Sequence, residues 1–196
     1  MSAGGGYGPD RLDAGFASVF AAMSGFSSAW GYEDGPPVLF RLPSDVCAGA
    51  MGAFVSVAAL VHAQRTGQGQ YIDIANRETL GSYLGDAFLD YSFNGRVPKP
   101  RGNHHPAWAP HNVYPSAGEH EGDRWVSIAV TSDAEWRALV TVMGDPPWAC
   151  DQRFDLVAGR LANQEELDQK ISEWTSEQDG FELMDRLQSV GVAATP

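Results

Sequence analysis

Residues 46–63 carry no formal charge across 18 consecutive positions, and no other stretch constrains the fold as strongly. That length touches the threshold for a membrane-spanning helix. The composition argues the other way. The run is mostly Ala and Gly, holds Ser56 and His62, and lacks the Leu, Ile and Phe density that favours insertion into lipid. It is expected to form a long helix buried in a protein core. Ser44 or Asp45 stands where the N-cap of that helix belongs. Arg65 falls in its last turn, where a cation suits the negative end of the helix dipole, and Thr66-Gly67 marks its end.

Such a helix needs a core around it, and the chain has the material. Its 196 residues are 43% hydrophobic and 19% charged, which is one domain or two small ones of ordinary globular composition. Lys and Arg number 13 against 25 Asp and Glu, a net charge of −12. A surface that neutralises phosphates wants the opposite sign, so nucleic-acid binding and attachment to an anionic membrane are disfavoured. A small phosphorylated ligand remains compatible, because it needs only a local cluster of donors. Cys47 and Cys150 match no zinc or redox spacing, and a reduced, cytoplasmic setting is expected. The Gly-rich opening lacks the positive and apolar regions of a signal peptide.

Residues 12–30 are apolar and rich in small side chains, which predicts one helix after the glycines. Glu33-Asp34-Gly35-Pro36-Pro37 is a turn. Residues 70–75 alternate at period two and predict a strand. Residues 76–93 predict a helix, with Leu80, Tyr83, Leu84, Phe88 and Tyr91 near one face. Residues 94–110 hold Gly95, Pro98, Pro100, Gly102, Pro106 and Pro110 and form no regular element, so a boundary is placed there, between domains at 1–94 and 95–196. Beyond it, a strand is expected at 125–130. Ser132 and Glu135 form a capping box for a helix reaching Met143 and stopping at Gly144. Helices at 163–177 and 180–190 and a short strand at 192–195 complete the reading, with Trp136, Trp148 and Trp174 as core anchors. Both chain ends read as cuts through a larger fold.

Few residues could carry chemistry. A carboxylate at the head of a long apolar helix, as Asp45 is, meets oriented backbone N–H groups that keep it ionised and could stabilise charge on a neighbouring carbonyl oxygen. The same Asp could be only a helix cap. His104, His105 and His111 cluster in the long loop, with Asp90 and Glu119 near in sequence. No ligand spacing is recognisable, so no metal is assigned and solvated loop histidines are expected. Arg96, Lys99 and Arg101 form the local basic cluster of this acidic chain, suited to a cofactor phosphate or to solvent. The glycines of Thr66-Gly67-Gln68-Gly69-Gln70 follow a helix and precede a strand, the reverse of a phosphate-cradling loop.

These residues add up to a resemblance. Asp34-Gly35-Pro36-Pro37, Ser44-Asp45 with its Ala/Gly helix, and the run from Arg65-Thr66-Gly67 to Asp73-Ile74 resemble the family III CoA-transferases, the formyl-CoA:oxalate and carnitine-CoA type, whose fold the acyl-CoA racemases share. Arg101-Gly102-Asn103, the run Ala109-Pro110-His111-Asn112-Val113-Tyr114-Pro115, Glu135-Trp136, Arg153-Phe154, Arg160-Leu161-Ala162-Asn163 and Gly191-Val192 continue the match in order along the whole chain. The resemblance implies an α/β fold, with part of a Rossmann-like large domain followed by a smaller α+β domain.

It also implies a function. Asp45 occupies the position of the family's catalytic aspartate, which attacks an acyl-CoA thioester to give a mixed anhydride and then an aspartyl-CoA intermediate. Covalent steps of this kind preserve the activation of the acyl group without metal, ATP or prosthetic group. Coenzyme A and acyl-CoA are substrates, and a carboxylic acid is the acceptor. Asn76, Tyr7 and Gly8 resemble residues lining the CoA pocket, and Arg96, Lys99 and Arg101 are assigned to its phosphates. Residues 102–110 match a segment over the active site that is glycine-rich in some members, where this chain has His104-His105-Pro106-Ala107-Trp108. The racemases pair Asp with a His at a position corresponding here to Leu12, which favours transfer over racemisation of a 2-methylacyl-CoA. Family chains are longer, so a homodimer or a partner chain supplying the N-terminal half is expected. A non-catalytic remnant or subunit is the alternative.

Overall fold

The computed structural model describes residues 4–9, 11–41, 43–118 and 124–196. Two compact units divide the chain, Met1–Gly102 and Asn103–Pro196.

The first unit contains α1 (Ala17–Met23), α2 (Pro43–Thr66), α3 (Asn76–Gly81) and α4 (Gly85–Asn94). Its small core is Phe20, Ala21 and Leu80, with Phe26, Phe40 and Cys47 packed against it. The single helix expected at 12–30 is broken. Gly25 takes φ 81°, a left-handed conformation that ends α1, and a 3-10 turn follows over Phe26–Ala29. Helix α2 begins at Pro43, whose fixed φ suits the first helical position, so Ser44 and Asp45 sit inside the first turn and neither is its N-cap.

The expectation that α2 is buried is corrected. Its packed stripe runs through Ser44, Ala48, Met51, Gly52, Val55, Ala59 and Ala63, spaced three or four apart. The other faces are open: Val46 is 68% exposed, Phe54 70%, Val57 61% and Leu60 63%. A helix apolar on every side needs neighbours on every side, and among the described residues only α1 and α3 pack on it extensively. By length and composition Ser44–Thr66 could cross a membrane. The predicted strand at 70–75 is also corrected, because residues 68–74 are irregular and join no named sheet. The alternation is present, but a strand exists only with a partner to complete its ladder.

The second unit has a larger core. Strands β1 (His111–Pro115), β2 (Trp125–Ala129) and β3 (Ala193–Thr195) form an antiparallel sheet in that order, with Val113 opposite Ser127 and Ser127 opposite Thr195. Helices α5 (Asp133–Val142), α6 (Val157–Ala162), α7 (Gln164–Thr175) and α8 (Gly180–Ser189) accompany it. Trp136, Phe154, Leu139, Leu167, Ile171, Leu183 and Leu187 are all at most 1% exposed. Trp148 and Trp174 pack against this core from its edge. The capping box forms with a variation: Ser132 Oγ accepts from the Glu135 N–H, while the Glu135 carboxylate accepts from the Thr131 N–H at 2.6 Å.

Gly159 on α6 is required by a close approach, since a Cβ there would run into the Arg153 carbonyl oxygen. Gly159→Ala is therefore expected to destabilise the protein by about 1–3 kcal/mol, the usual range for overpacking. Urea denaturation checks this, and an unchanged midpoint would show that the turn yields freely.

Tyr114 carries a second expectation. Burial, the adjacent Asp168 charge and the hydrogen bond to it raise the phenol pKa well above the ordinary tyrosine value. The unfolded chain, with Tyr near pKa 10, ionises first. The contribution to stability is thus fully present below about pH 10 and lost as pH rises through the folded value. Urea midpoints between pH 8 and 12 should fall with a steeper slope for wild type than for Tyr114→Phe. Parallel curves would refute the assignment.

Candidate active site

All the residues singled out for catalysis and CoA binding lie in the first unit. Asp45 is exposed in the first turn of the 24-residue helix α2. The first N–H groups of a helix have no intrahelical acceptor, and the dipole there is positive, so the position suits hydrogen-bond-accepting oxygens. It would equally favour an oxyanion developing beside it. Two residues further on, the neighbouring Cys47 side chain raises the Tyr83 pKa above its ordinary value.

The Gly-rich opening runs beside the residues that precede α3. The Gly6 N–H donates to Asp73 Oδ2 at 2.6 Å. A Cβ on Gly6 would collide with that carboxylate, and one on Gly8 would lie 3.9 Å from Arg77 Nη2. Tyr7-Gly8 and Asn76-Arg77, far apart in sequence, are thus brought together. Tyr7 is 79% exposed. Asn76 Oδ1 is buried without a hydrogen-bond partner, as is Ser44 Oγ. Such atoms cost free energy unless something satisfies them, and a bound ligand is one way to do so.

The basic cluster is partly spoken for. Arg96 clamps Asp90 through Nε at 2.9 Å and Nη2 at 2.6 Å, and Lys99 pairs with Glu33. The Arg96 bond and then that of Asn94 lower the Asp90 pKa, and Lys99 lowers that of Glu33. These pairs are exposed and weak, so a phosphate could exchange with the carboxylates. Arg101 makes no ion pair among the described residues. Leu12, where the resemblance to the racemases would put a histidine, is 84% exposed.

The histidines are not simply solvated. His104 Nε2 meets Asp168 Oδ2 at 2.6 Å, His111 Nδ1 meets the Asn103 carbonyl at 2.7 Å, and His105 stacks on Trp108 with ring centroids 3.9 Å apart. Among the described residues no group of three or more His, Cys, Asp or Glu side chains could hold a metal ion. Glu119 lies outside the described residues. Sequence reasoning missed Asp168, Tyr114 and Tyr83 as polar contacts, since each meets a partner distant in sequence.

Comparison with known proteins adds to this geometry. The chain is 34% identical over 188 residues to the succinyl-CoA–D-citramalate CoA-transferase of Chloroflexus aurantiacus, covering 95% of this chain and 46% of that protein. It is 32% identical over 190 residues to the succinate–glutarate CoA-transferase of Agrobacterium fabrum, covering 96% and 46%. Its fold matches the crystal structure of a CAIB/BAIF family protein from Brucella suis with a TM-score of 0.86 and 28% identity, over 100% of this chain and 50% of that one. The chain thus spans about half the length of these relatives. The description CoA-transferase family III matches residues 1–196, end to end, and the chain belongs to that family.

Proposed function

We infer that this chain supplies the nucleophile and part of the CoA-binding wall of an enzyme that moves CoA between carboxylic acids. The observation that carries this reading is the exposed Asp45 carboxylate in the first turn of α2, in a chain matched end to end by a CoA-transferase family. One Asp45 oxygen attacks the thioester carbonyl carbon of the donor, the C–S bond breaks, and CoA leaves as thiolate. The thiolate then attacks the aspartyl carbonyl of the anhydride, giving aspartyl-CoA and releasing the donor acid. The acceptor carboxylate displaces CoA from that thioester to form a second anhydride. Attack of the thiolate on its acyl carbonyl yields the new acyl-CoA and restores Asp45. Every step is an acyl exchange between carboxylate and thiolate, so the activation is carried forward.

The positive end of α2 stabilises the charge that builds on each tetrahedral oxygen. Tyr7, Gly8 and Asn76 line the CoA chain, with the orphaned Asn76 Oδ1 as an acceptor for it. Arg101, and Arg96 and Lys99 after exchange of their carboxylate partners, meet its phosphates. The relatives' names, succinyl-CoA–D-citramalate and succinate–glutarate CoA-transferase, favour a CoA thioester of a dicarboxylic acid as donor and a second dicarboxylic acid as acceptor. The absence of a histidine at Leu12 weighs against the racemase reading.

A second reading has its own observation. The open faces of α2, in a chain half the length of its relatives, favour a subunit or remnant that needs further polypeptide to complete the large domain. Intact-mass measurement after incubation with succinyl-CoA, with hydroxylamine as trap and Asp45→Ala as control, separates the two. An added mass that hydroxylamine converts to a hydroxamate, absent in the variant, supports the nucleophile. No adduct on the folded chain, alone or mixed with the region of a relative that precedes the match, would leave the remnant.

A further inference from the structure

The loop at 103–110, at the start of the second unit, is held almost entirely by side chains. Its end is fixed where Arg160 Nε donates to the Ala109 carbonyl at 2.7 Å and the Val130 N–H donates to the Pro110 carbonyl at 2.9 Å. Its first residue is tied to β1, where His111 Nδ1 meets the Asn103 carbonyl at 2.7 Å, and the next depends on Asp168 of α7. One carboxylate oxygen meets His104 Nε2 at 2.6 Å and accepts from Asn112 Nδ2 at 3.2 Å, while the other accepts from the Tyr114 hydroxyl at 2.6 Å.

The chemistry of this cluster is asymmetric. Tyr114 and Asn112 belong to β1 and stay with the sheet, whereas His104 belongs to the loop. An ionised carboxylate only accepts, so His104 Nε2 must carry the proton that it donates. Asn112 Nδ2 lies 3.2 Å from the same Nε2, and two donors at that separation do not bond each other. Without Asp168, His104 keeps a partner in the cluster only by moving its proton to Nδ1, so that Nε2 can accept from Asn112 Nδ2. His104 is also the outermost member, with 35% of its side chain exposed against 15% for Asp168.

We propose that Asp168 and His104 form a latch: the carboxylate, held by Tyr114 and Asn112, fastens the first half of the 103–110 loop to α7 and fixes the His104 tautomer. The loop is a strap anchored at Asn103 and Ala109, and the stretch between them is released at His104 when the latch is broken. Asp168 is a positioning residue in this device, and the loop is its moving part.

Hydrogen–deuterium exchange of the full chain tests the latch, together with nitrogen-detected NMR of the histidine tautomers. Wild type should show His104 protonated at Nε2. Asp168→Asn should speed exchange of the Ala107 and neighbouring amides about 10- to 100-fold, the range expected for losing one hydrogen bond to a charged group, while the amides of β2 and α8 keep their protection. His104→Gln, which leaves the buried side of the cluster intact, should reproduce the effect should Asp168→Asn fold poorly. Unchanged loop exchange in both variants would overturn the proposal. So would a uniform rise across the second unit, which would make Asp168 a general stabiliser, or a wild-type His104 protonated at Nδ1 alone.

Discussion

Replacing Arg160 by alanine is expected to destabilise the second unit by about 3–5 kcal/mol, the cost of leaving two buried carbonyls and a part-buried carboxylate without their donor. Arg160 is fully buried, yet its guanidinium is almost completely used. Nε donates to the Ala109 carbonyl at 2.7 Å, Nη1 to the Phe154 carbonyl at 2.9 Å, and Nη2 to Asp133 Oδ1 at 2.9 Å. Its central carbon lies 5.5 Å from the Trp136 ring centroid. Burial lowers the Arg160 pKa and the Asp133 charge opposes that shift, so the cation is kept by its partners rather than by solvent. One side chain thereby ties the end of the 103–110 loop, the turn after Phe154 and the start of α5 together. Alanine removes every tie at once and strands Asp133 and the carbonyls. Arg160→Met, which keeps the volume and loses the donors, should recover little, whereas Asp133→Asn should cost less because it keeps an acceptor. Urea denaturation followed by tryptophan fluorescence reads this, because Trp136 reports on the site. An Arg160→Ala midpoint equal to wild type would mean that water replaces the guanidinium without penalty.

The sequence made the second unit more legible than the first, and the reason is physical. In the second unit each local signal has its partner within the same 94 residues. The Ser132–Glu135 cap, the stop at Gly144 and the apolar spacing of α7 and α8 are short-range features, and the Trp136 core closes around them. Strand β1 escaped notice because Pro115 and the polar His111-Asn112 pair blur its alternation. Arg160 and Asp168 escaped because, the Phe154 and Asp155 carbonyls apart, their partners are 27 to 64 positions away. In the first unit the patterns were real but their complements are missing among the described residues. There the alternation at 70–75 finds no named sheet, and the apolar faces of α2 find no cover. Periodicity predicts what a segment needs, and structure shows whether those needs are met. At the candidate site the helix and its acidic first turn were readable. The meeting of Gly6 with Asp73, which places Tyr7-Gly8 beside Asn76, was not, because it joins residues 67 apart.

Asp45→Asn is expected to lower CoA transfer by on the order of 10⁴-fold or more, the scale on which removal of a covalent nucleophile acts. Asparagine keeps the shape and can still accept a hydrogen bond from the first turn, but its amide cannot form an anhydride that returns a carboxylate. The stability cost should be that of an ordinary first-turn carboxylate at a helix N-terminus, below about 1 kcal/mol, because Asp45 is exposed and makes no ion pair among the described residues. The two roles open to this residue therefore predict opposite patterns. An Asp45 that only complements the dipole of α2 would lose a little stability and keep turnover in proportion to the folded fraction. A nucleophile would lose turnover completely while the unfolding midpoint hardly moves. The comparison is made in whichever assembly turns over, this chain alone or joined to the polypeptide that completes the large domain. Asp45→Glu adds a geometric check, because the extra methylene keeps the carboxylate but moves it away from the N–H groups of α2. Turnover that tracks position rather than charge, with Glu nearly as inactive as Asn, would place the reacting oxygen beside the helix end. Full activity in Asp45→Asn would remove Asp45 from the chemistry and leave it as part of the helix.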